Sequence, residues 1–381
     1  MKYRRFGKLD WDVSVLGFGA MRLPVIDEKP SQIDETLSIN MIRHAIDQGV
    51  NYLDTAYPYH QGQSEVLVGK ALQDGYRDKI KLATKQPSWL MKTADDFDTC
   101  LNEQLQKLQT DHIDFYLLHS MNRTFWPQVR DLDVLEWAEK AIADGRIGQL
   151  GFSFHDDLEM FRQLVDAYDK WVLCQVQYNY LDVEYQAGKE GLEYAHEKGL
   201  AVVVMEPLRG GQITQEQPAA VAKLWESIPR QRSQADWALQ WVWNHEEVPM
   251  ALSGMSNMQQ VEENLASAEL SAPGALSEEE LNIIDQVQVE YNKLCPIPCT
   301  DCRYCMPCPH GVDIPYTLLS YNQSVMYDNP RRARLFYRQL PLGQQANNCE
   351  ECYECEDICP QSIPIVEWLE KAHGWLGPKK K

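Results

Sequence analysis

Three things are scarce in this sequence, and each scarcity excludes something. Basic residues are outnumbered, 36 Lys and Arg against 56 Asp and Glu, for a formal charge of −20 and a pI of about 4.9. A surface of that sign repels phosphate backbones, so no nucleic acid is expected as a partner. The one basic block, Lys379-Lys380-Lys381, reads as a frayed terminus rather than an address. No uncharged apolar run reaches about eighteen residues, so no membrane span is expected. The opening Met1-Lys2-Tyr3-Arg4-Arg5-Phe6-Gly7-Lys8 lacks the apolar stretch of a signal peptide, so a cytoplasmic chain is expected. Cysteine is rare over most of the length, with only Cys100 and Cys174 in the first 294 residues. Nine more then crowd between Cys295 and Cys359. Disulfides are disfavoured in a cytoplasmic chain, so that density points to metal.

What is present is globular: 381 residues, 44% hydrophobic and 24% charged, enough for two or three domains with real cores. Turn-forming residues at Ala272-Pro273-Gly274-Ala275 mark a division. Ser277 through Glu280 then reads as a capping box, and Leu281, Ile284, Val287, Tyr291 and Leu294 follow at helical spacing. The expected organisation is a first domain over 1–272, a linker helix over 273–294 and a cysteine domain over 295–381.

Short apolar runs punctuate the first domain: Val15-Leu16-Gly17, Tyr52-Leu53-Asp54, Ile80 to Thr84, Ile113 to Leu118, Ile147 to Gly151, Val172 to Val176, Ala201 to Met205 and Pro249 to Leu252. Amphipathic stretches separate them; Phe97, Leu101, Leu105 and Leu108, for example, repeat every three or four residues. Eight strand–helix units in roughly 250 residues fit a (β/α)8 TIM barrel better than an open doubly wound sheet. Lys2 to Val13 would be a hairpin outside it. A dinucleotide fingerprint fails at Gly17-Phe18-Gly19-Ala20-Met21-Arg22, where Arg replaces the third Gly. Gly151-Phe152-Ser153-Phe154-His155 is not a nucleophile elbow, because it lacks the second Gly.

Barrels of this kind carry their chemistry at the C-terminal ends of the strands. Asp54, Tyr59, Lys85 and His119 fall there, after the second, third and fourth strands. Each alone has a bland reading, as a helix cap, a solvated lysine or a histidine satisfied by a carbonyl. Together they make a proton donor. A phenol near pKa 10 donates poorly at neutral pH, a nearby ammonium lowers that value, a carboxylate fixes the ammonium, and an imidazole orients the substrate oxygen.

At this point the sequence resembles the aldo-keto reductase superfamily over roughly residues 1–270. The matching segments are Asp54-Thr55-Ala56-Tyr57-Pro58-Tyr59, Ser64-Glu65 through Leu72, Ala83-Thr84-Lys85, Asp114 to His119, Gly151-Phe152-Ser153, Gln175 to Asn179 and Glu206-Pro207-Leu208. The resemblance implies hydride transfer between a nicotinamide cofactor, NAD(P)(H), and a carbonyl or alcohol. It casts Tyr59 as general acid, Lys85 and Asp54 as its tuners and His119 as orienter. Ser153 and Gln175 would hold the carboxamide, Pro207 and Leu208 would line the cofactor, and Glu263 and Asn264 would touch the adenine end. The chain departs from the family in carrying Phe154 where Asn often follows the serine and Met205 where an aromatic often stacks. It also has Gly254 and Gln260 where NADP-preferring members place cations for the 2'-phosphate, with Arg209 as a remaining candidate for phosphate contact.

The cysteine domain holds Cys299-x2-Cys302-x2-Cys305-x2-Cys308-Pro309 and Cys349-x2-Cys352-x2-Cys355-x3-Cys359-Pro360. The second is the bacterial iron–sulfur spacing, and the first is one residue short of it. Structural zinc uses two separated pairs instead. Two [4Fe–4S] clusters are therefore expected. Resemblance to two-cluster ferredoxin modules implies a crossover, with Cys299, Cys302, Cys305 and Cys359 on one cluster and Cys349, Cys352, Cys355 and Cys308 on the other. The helical look of Tyr316 to Met326 and Arg331 to Arg338 favours a mainly α-helical iron–sulfur domain. Cys174 reads as core packing, and neither Cys100 nor Cys295 is given a role.

Two kinds of function stay open: an oxidoreductase whose clusters relay electrons, and a cluster-bearing binding or sensor protein. Nicotinamide moves two electrons as hydride while each cluster moves one, so a flavin is carried as a further candidate cofactor and a redox protein as a candidate partner.

Overall fold

The computed structural model of the chain describes residues 1–326 and 330–378, with the Arg332 side chain outside that description; the lysine tail at 379–381 falls outside it too. Two compact units divide the chain. One joins Met1–Leu208 to Ser233–Leu276, and the other joins Arg209–Arg232 to the residues from Ser277 onward.

In the first unit, β1 (Tyr3–Arg5) and β2 (Asp12–Ser14) pair antiparallel as the expected hairpin. Eight parallel strands follow: β3 (Leu16–Gly19), β4 (Tyr52–Asp54), β5 (Lys81–Gln86), β6 (Ile113–Met121), β7 (Ile147–Phe154), β8 (Leu173–Gln177), β9 (Ala201–Met205) and β10 (Met250–Gly254). They close in that order, β10 returning to β3. The fold is a (β/α)8 barrel. Its strands are buried on both faces, the pattern that parallel sheets covered by helices require.

The hairpin closes one end of this barrel. Phe6 is fully buried, with its ring 5.1 Å from that of Phe115 and 5.3 Å from that of Trp11. It joins Val13 in a cluster with Tyr52, Leu173, Ala201 and Met250, which open their strands. Aromatic packing thus fills the N-terminal end, which leaves the C-terminal ends open for chemistry. One glycine fixes how the outer helices nest there. A Cβ on Gly69, in the helix Gln63–Ala71, would sit 2.6 Å from the Lys107 carbonyl oxygen and 2.8 Å from the Leu108 carbonyl carbon. Any side chain would push the helix Asp95–Leu108 away from the strand it covers.

No strand lies among the described residues of the second unit. Ser277 accepts from the Glu280 amide while Glu280 accepts from the Ser277 amide, so the capping box starts the helix Glu278–Leu294. The helix Ile314–Met326 packs on Pro330–Gln339 and Ile365–Leu376 around Ile297, Val312, Leu318, Tyr337, Ile365 and Leu369. Where the sequence draws one break near residue 272, the contacts also place Arg209–Arg232 in this unit. That segment begins four residues past the end of β9. Its helix Ala219–Glu226 packs on Glu278–Leu294, and the Gln212 amide donates to the Cys299 carbonyl. Among the described residues no helix is long and apolar enough to cross a membrane.

Candidate active site

Asp54 ends β4 and Lys85 lies in β5, with Asp54 in register with Ala83, so both reach the same end of the barrel. Both are buried. Lys85 Nζ lies 2.6 and 2.7 Å from the two Asp54 carboxylate oxygens, 2.9 Å from the Thr55 carbonyl and 3.4 Å from the Tyr59 hydroxyl. Burial pushes the Lys85 ammonium down and the Asp54 carboxyl up, and their mutual contact opposes both shifts. Behind the lysine, the Gln104 amide bridges the Lys85 carbonyl (3.0 Å) and buried Glu65 (2.6 Å), which also accepts from Thr84.

Tyr59 opens the short turn Tyr59–Gly62. The turn is held by His60, whose ring accepts from the Leu23 amide at 3.1 Å and meets the Pro30 carbonyl at 2.8 Å. The Tyr59 and His119 rings meet edge to face at 6.2 Å. The sequence puts His119 after its strand; β6 in fact runs on to Met121. An irregularity between Leu118 and Met121, with Ser120 at φ 57°, carries the strand past the histidine. All four expected residues converge.

Ser153 and Gln175 are register partners on β7 and β8, both buried. Ser153 Oγ accepts from the Ser120 amide at 2.8 Å. Among the described residues, Gln175 Nε2 reaches only the Met205 sulfur, at 3.7 Å, and its buried carbonyl oxygen has no hydrogen-bond partner. A buried acceptor left open costs about 1–3 kcal/mol. A carboxamide NH2 would satisfy it, so these residues fit a nicotinamide.

In the second unit no cysteine forms a disulfide. Cys299 interacts electrostatically with Cys302 and Cys359, and Cys305 with those three and with Cys355 of the second run. Cys349 interacts with Cys308 and Cys352, and Cys355 with Cys349 and Cys352. Cys305, Cys308, Cys349, Cys352 and Cys355 line one cavity with Ile314, Ile358 and Leu369. Thiols from both runs line that one void, but among the described residues no three Cys, His, Asp or Glu side chains are gathered closely enough to hold a metal ion.

Comparison with known proteins agrees on both units. The profile of the aldo/keto reductase family matches residues 15–289. The chain belongs to the aldo/keto reductase family. A 4Fe–4S dicluster domain matches residues 298–363, so an iron–sulfur module follows the barrel in the sequence. An aldo-keto reductase from Bacillus halodurans, solved in its holo form, is 30% identical with a TM-score of 0.62, covering 75% of this chain and 96% of that one. One from Klebsiella pneumoniae in complex with NADPH is 26% identical with a TM-score of 0.61, over 75% and 95%. An uncharacterized oxidoreductase of Bacillus subtilis, YqkF, is 25% identical over 74% of this chain and 95% of its own.

The remaining predicted contacts of this aldo/keto reductase are less uniform. Pro207 is buried beyond β9, and Leu208 is the last residue of the barrel unit before Ser233. Asn264 is buried with its amide on Ser253 Oγ at 3.0 Å, whereas Glu263 is exposed and accepts from Gln259 at 2.7 Å. Arg209 falls in the second unit. Sequence reasoning missed Trp89, whose ring is 5.2 Å from that of His119, and Arg22, whose stem lies against Gly254. Arg22 could have been found, since it follows the glycine-rich end of the first barrel strand.

Burial holds His60, His119 and His245 below the ordinary imidazole value and takes His155 down to about 4. Each favours the folded state only while neutral. The unfolded chain takes up these protons near pH 6.5 and the folded chain refuses them, so stability is full above that value and falls as pH drops toward about 4. Melting temperatures recorded from about pH 7 to about pH 5 should decline steadily. A flat profile would mean these histidines are not buried neutral.

Proposed function

We propose that this chain transfers hydride between a nicotinamide cofactor and a small carbonyl or alcohol, with its clusters relaying electrons. The observation that carries the reading is the Lys85 ammonium, bonded to both Asp54 oxygens and set 3.4 Å from the Tyr59 hydroxyl. Reducing a carbonyl takes one hydride at carbon and one proton at oxygen. The nicotinamide, when bound, supplies the hydride. Tyr59 supplies the proton, and the adjacent ammonium stabilises the phenolate that remains. Asp54 fixes the ammonium so that its charge stays at the phenol. His119, kept neutral by burial and by Lys85, orients the carbonyl oxygen without competing as an acid. Ser153 and Gln175 hold the carboxamide, and Pro207, Leu208, Glu263 and Asn264 are assigned along the cofactor. In the second unit, Cys299, Cys302, Cys305 and Cys359 hold one [4Fe–4S] cluster and Cys349, Cys352, Cys355 and Cys308 the other. Two one-electron carriers match the two electrons of one hydride, which suits exchange with a redox protein partner.

Cofactor binding tests this reading. NADH and NADPH should both bind, with dissociation constants within about ten-fold, or roughly 1.4 kcal/mol, of each other. The 2'-phosphate needs a cation, and Gly254 and Gln260 supply none. Gln260 spends its side-chain oxygen on the Ser256 amide, at 2.8 Å. Arg22, whose stem passes 3.3 Å from where a Gly254 Cβ would stand, directs its guanidinium to Glu206 at 3.8 Å. Tight preference for NADPH would show that Arg22 leaves Glu206 for the phosphate. Failure of both to bind would remove the hydride reading.

A further inference from the structure

The helix Pro330–Gln339 in the second unit presents a face unlike the rest of this acidic chain. Its sequence supplies Arg331, Arg332, Arg334 and Arg338. Between Asp328 and Glu350 there is no Asp or Glu, the longest acid-free stretch in a chain with 56 acidic residues. Ala333 and Tyr337 are buried in the helical core of the unit. At about 3.6 residues per turn, Leu335 lies on the opposite side, and it is 60% exposed. Exposed Arg331 stands four residues before it and exposed Arg338 three after, the spacing of neighbours on one helix face.

Two further apolar side chains adjoin this face. Leu342 opens the turn Leu342–Gln344 just beyond the helix and is 81% exposed. A Cβ on the next residue, Gly343, would meet nothing within 4 Å, so the turn stands clear of its surroundings. Trp375 is 43% exposed, with the Arg334 guanidinium 5.2 Å from its ring centroid. The arginines spend hydrogen bonds on carbonyls: Arg334 donates to that of Trp375 at 2.8 Å and Arg338 to that of Gly377 at 2.9 Å. Among the described residues no carboxylate pairs with Arg331, Arg334 or Arg338.

Cations without carboxylates, set beside protruding apolar side chains, call for an occupant that offers both anions and hydrocarbon. A folded protein partner needs a broad complementary patch. Separate leucines standing out between guanidinium groups suit the boundary of a lipid bilayer instead, where apolar tips enter among the acyl chains and guanidinium groups meet phosphates. We infer that this face docks the chain reversibly on a bilayer carrying anionic headgroups. The helix then lies on the membrane without spanning it, held by an apolar and a basic signal together. The formal charge of −20 does not forbid this. At physiological salt, exposed charges more than about 8 Å from the headgroups are largely screened, and the face that meets them carries no acid of its own. The docking is independent of the hydride chemistry.

The test is co-sedimentation of the anaerobically purified full chain with phosphatidylcholine vesicles that contain or lack phosphatidylglycerol. Binding should be confined to the vesicles with phosphatidylglycerol and should weaken at high salt. Leu335→Ser combined with Leu342→Ser should lower the partition coefficient at least about ten-fold, because both side chains lose their hydrocarbon contact. Arg331→Glu should lower it at least about five-fold, while Arg331→Lys, which keeps the charge, should leave it within about two-fold. These side chains are exposed, so the melting transition should stay in place; if the double variant melts early, Arg331→Glu alone decides. No binding to either vesicle, equal binding to both, or unchanged binding by Arg331→Glu overturns the inference. Salt-sensitive self-association that Arg331→Glu abolishes, without vesicle binding, would assign the face to the acidic surface of a second copy and overturn it as well.

Discussion

Tyr59→Phe is expected to lower carbonyl reduction by about a hundred-fold or more while leaving nicotinamide binding nearly intact. The substitution keeps the ring, and with it the edge contact to His119 at 6.2 Å and the packing of Lys85 Nζ, 5.0 Å from the ring centroid. It removes one oxygen, the only group of that side chain able to give up a proton. The loss should therefore fall on kcat, because the proton moves only in the transition state. Cofactor grip in the proposed assignment comes from Ser153 and Gln175. Steady-state kinetics with a simple aldehyde, paired with fluorescence titration of the reduced cofactor, read the two effects separately. Undiminished turnover would take the proton-donor role from Tyr59. A parallel loss of cofactor binding would mean that the ring, rather than the hydroxyl, matters.

The barrel was legible because each strand is a short apolar run that ends in a polar or glycine residue, and because eight of them alternate with amphipathic stretches. Asp54, Tyr59, Lys85 and His119 were legible for a related reason: the fold dictates which end of a strand faces the site, so a titratable residue there stands out. What the sequence hid depends on contacts between distant segments. The irregular end of β6 needs Ser120 at positive φ, a conformation that no local pattern of apolar residues announces. Arg209–Arg232 has an ordinary loop-and-helix composition. Only the packing of its helix and the Gln212 bond to Cys299 show which unit it serves. Gly254 reads as a missing cation, yet the stem of Arg22, three residues past the first barrel strand, lies against it, a juxtaposition created when the barrel closes from β10 to β3. The thiols behave differently: the Cys spacing predicts both runs, but Cys305 of the first run shares a cavity with Cys349, Cys352 and Cys355 of the second, so which thiols pair on which cluster stays a proposal.

That grouping leads to the second large effect. Anaerobically purified protein should carry about eight iron and eight sulfide per chain, the content of two [4Fe–4S] clusters. Cys352→Ala should lose roughly half of the iron while the barrel keeps its melting transition and its nicotinamide binding. Cys352 suits the experiment because it is exposed, whereas Cys299 is buried against the helical core. Removing an exposed thiol opens no cavity in that core, so the iron lost measures ligation rather than unfolding. The two units also make the outcome specific. Cys352 belongs to the unit containing the residues from Ser277 onward, and the Lys85–Asp54 pair to the other, so aldehyde reduction with supplied NAD(P)H should survive the change. Electron exchange with a one-electron acceptor should not. Zinc with little iron in the unaltered protein would overturn the cluster assignment. Loss of all iron from Cys352→Ala would mean that the two cysteine runs share a single cluster or cannot be loaded independently.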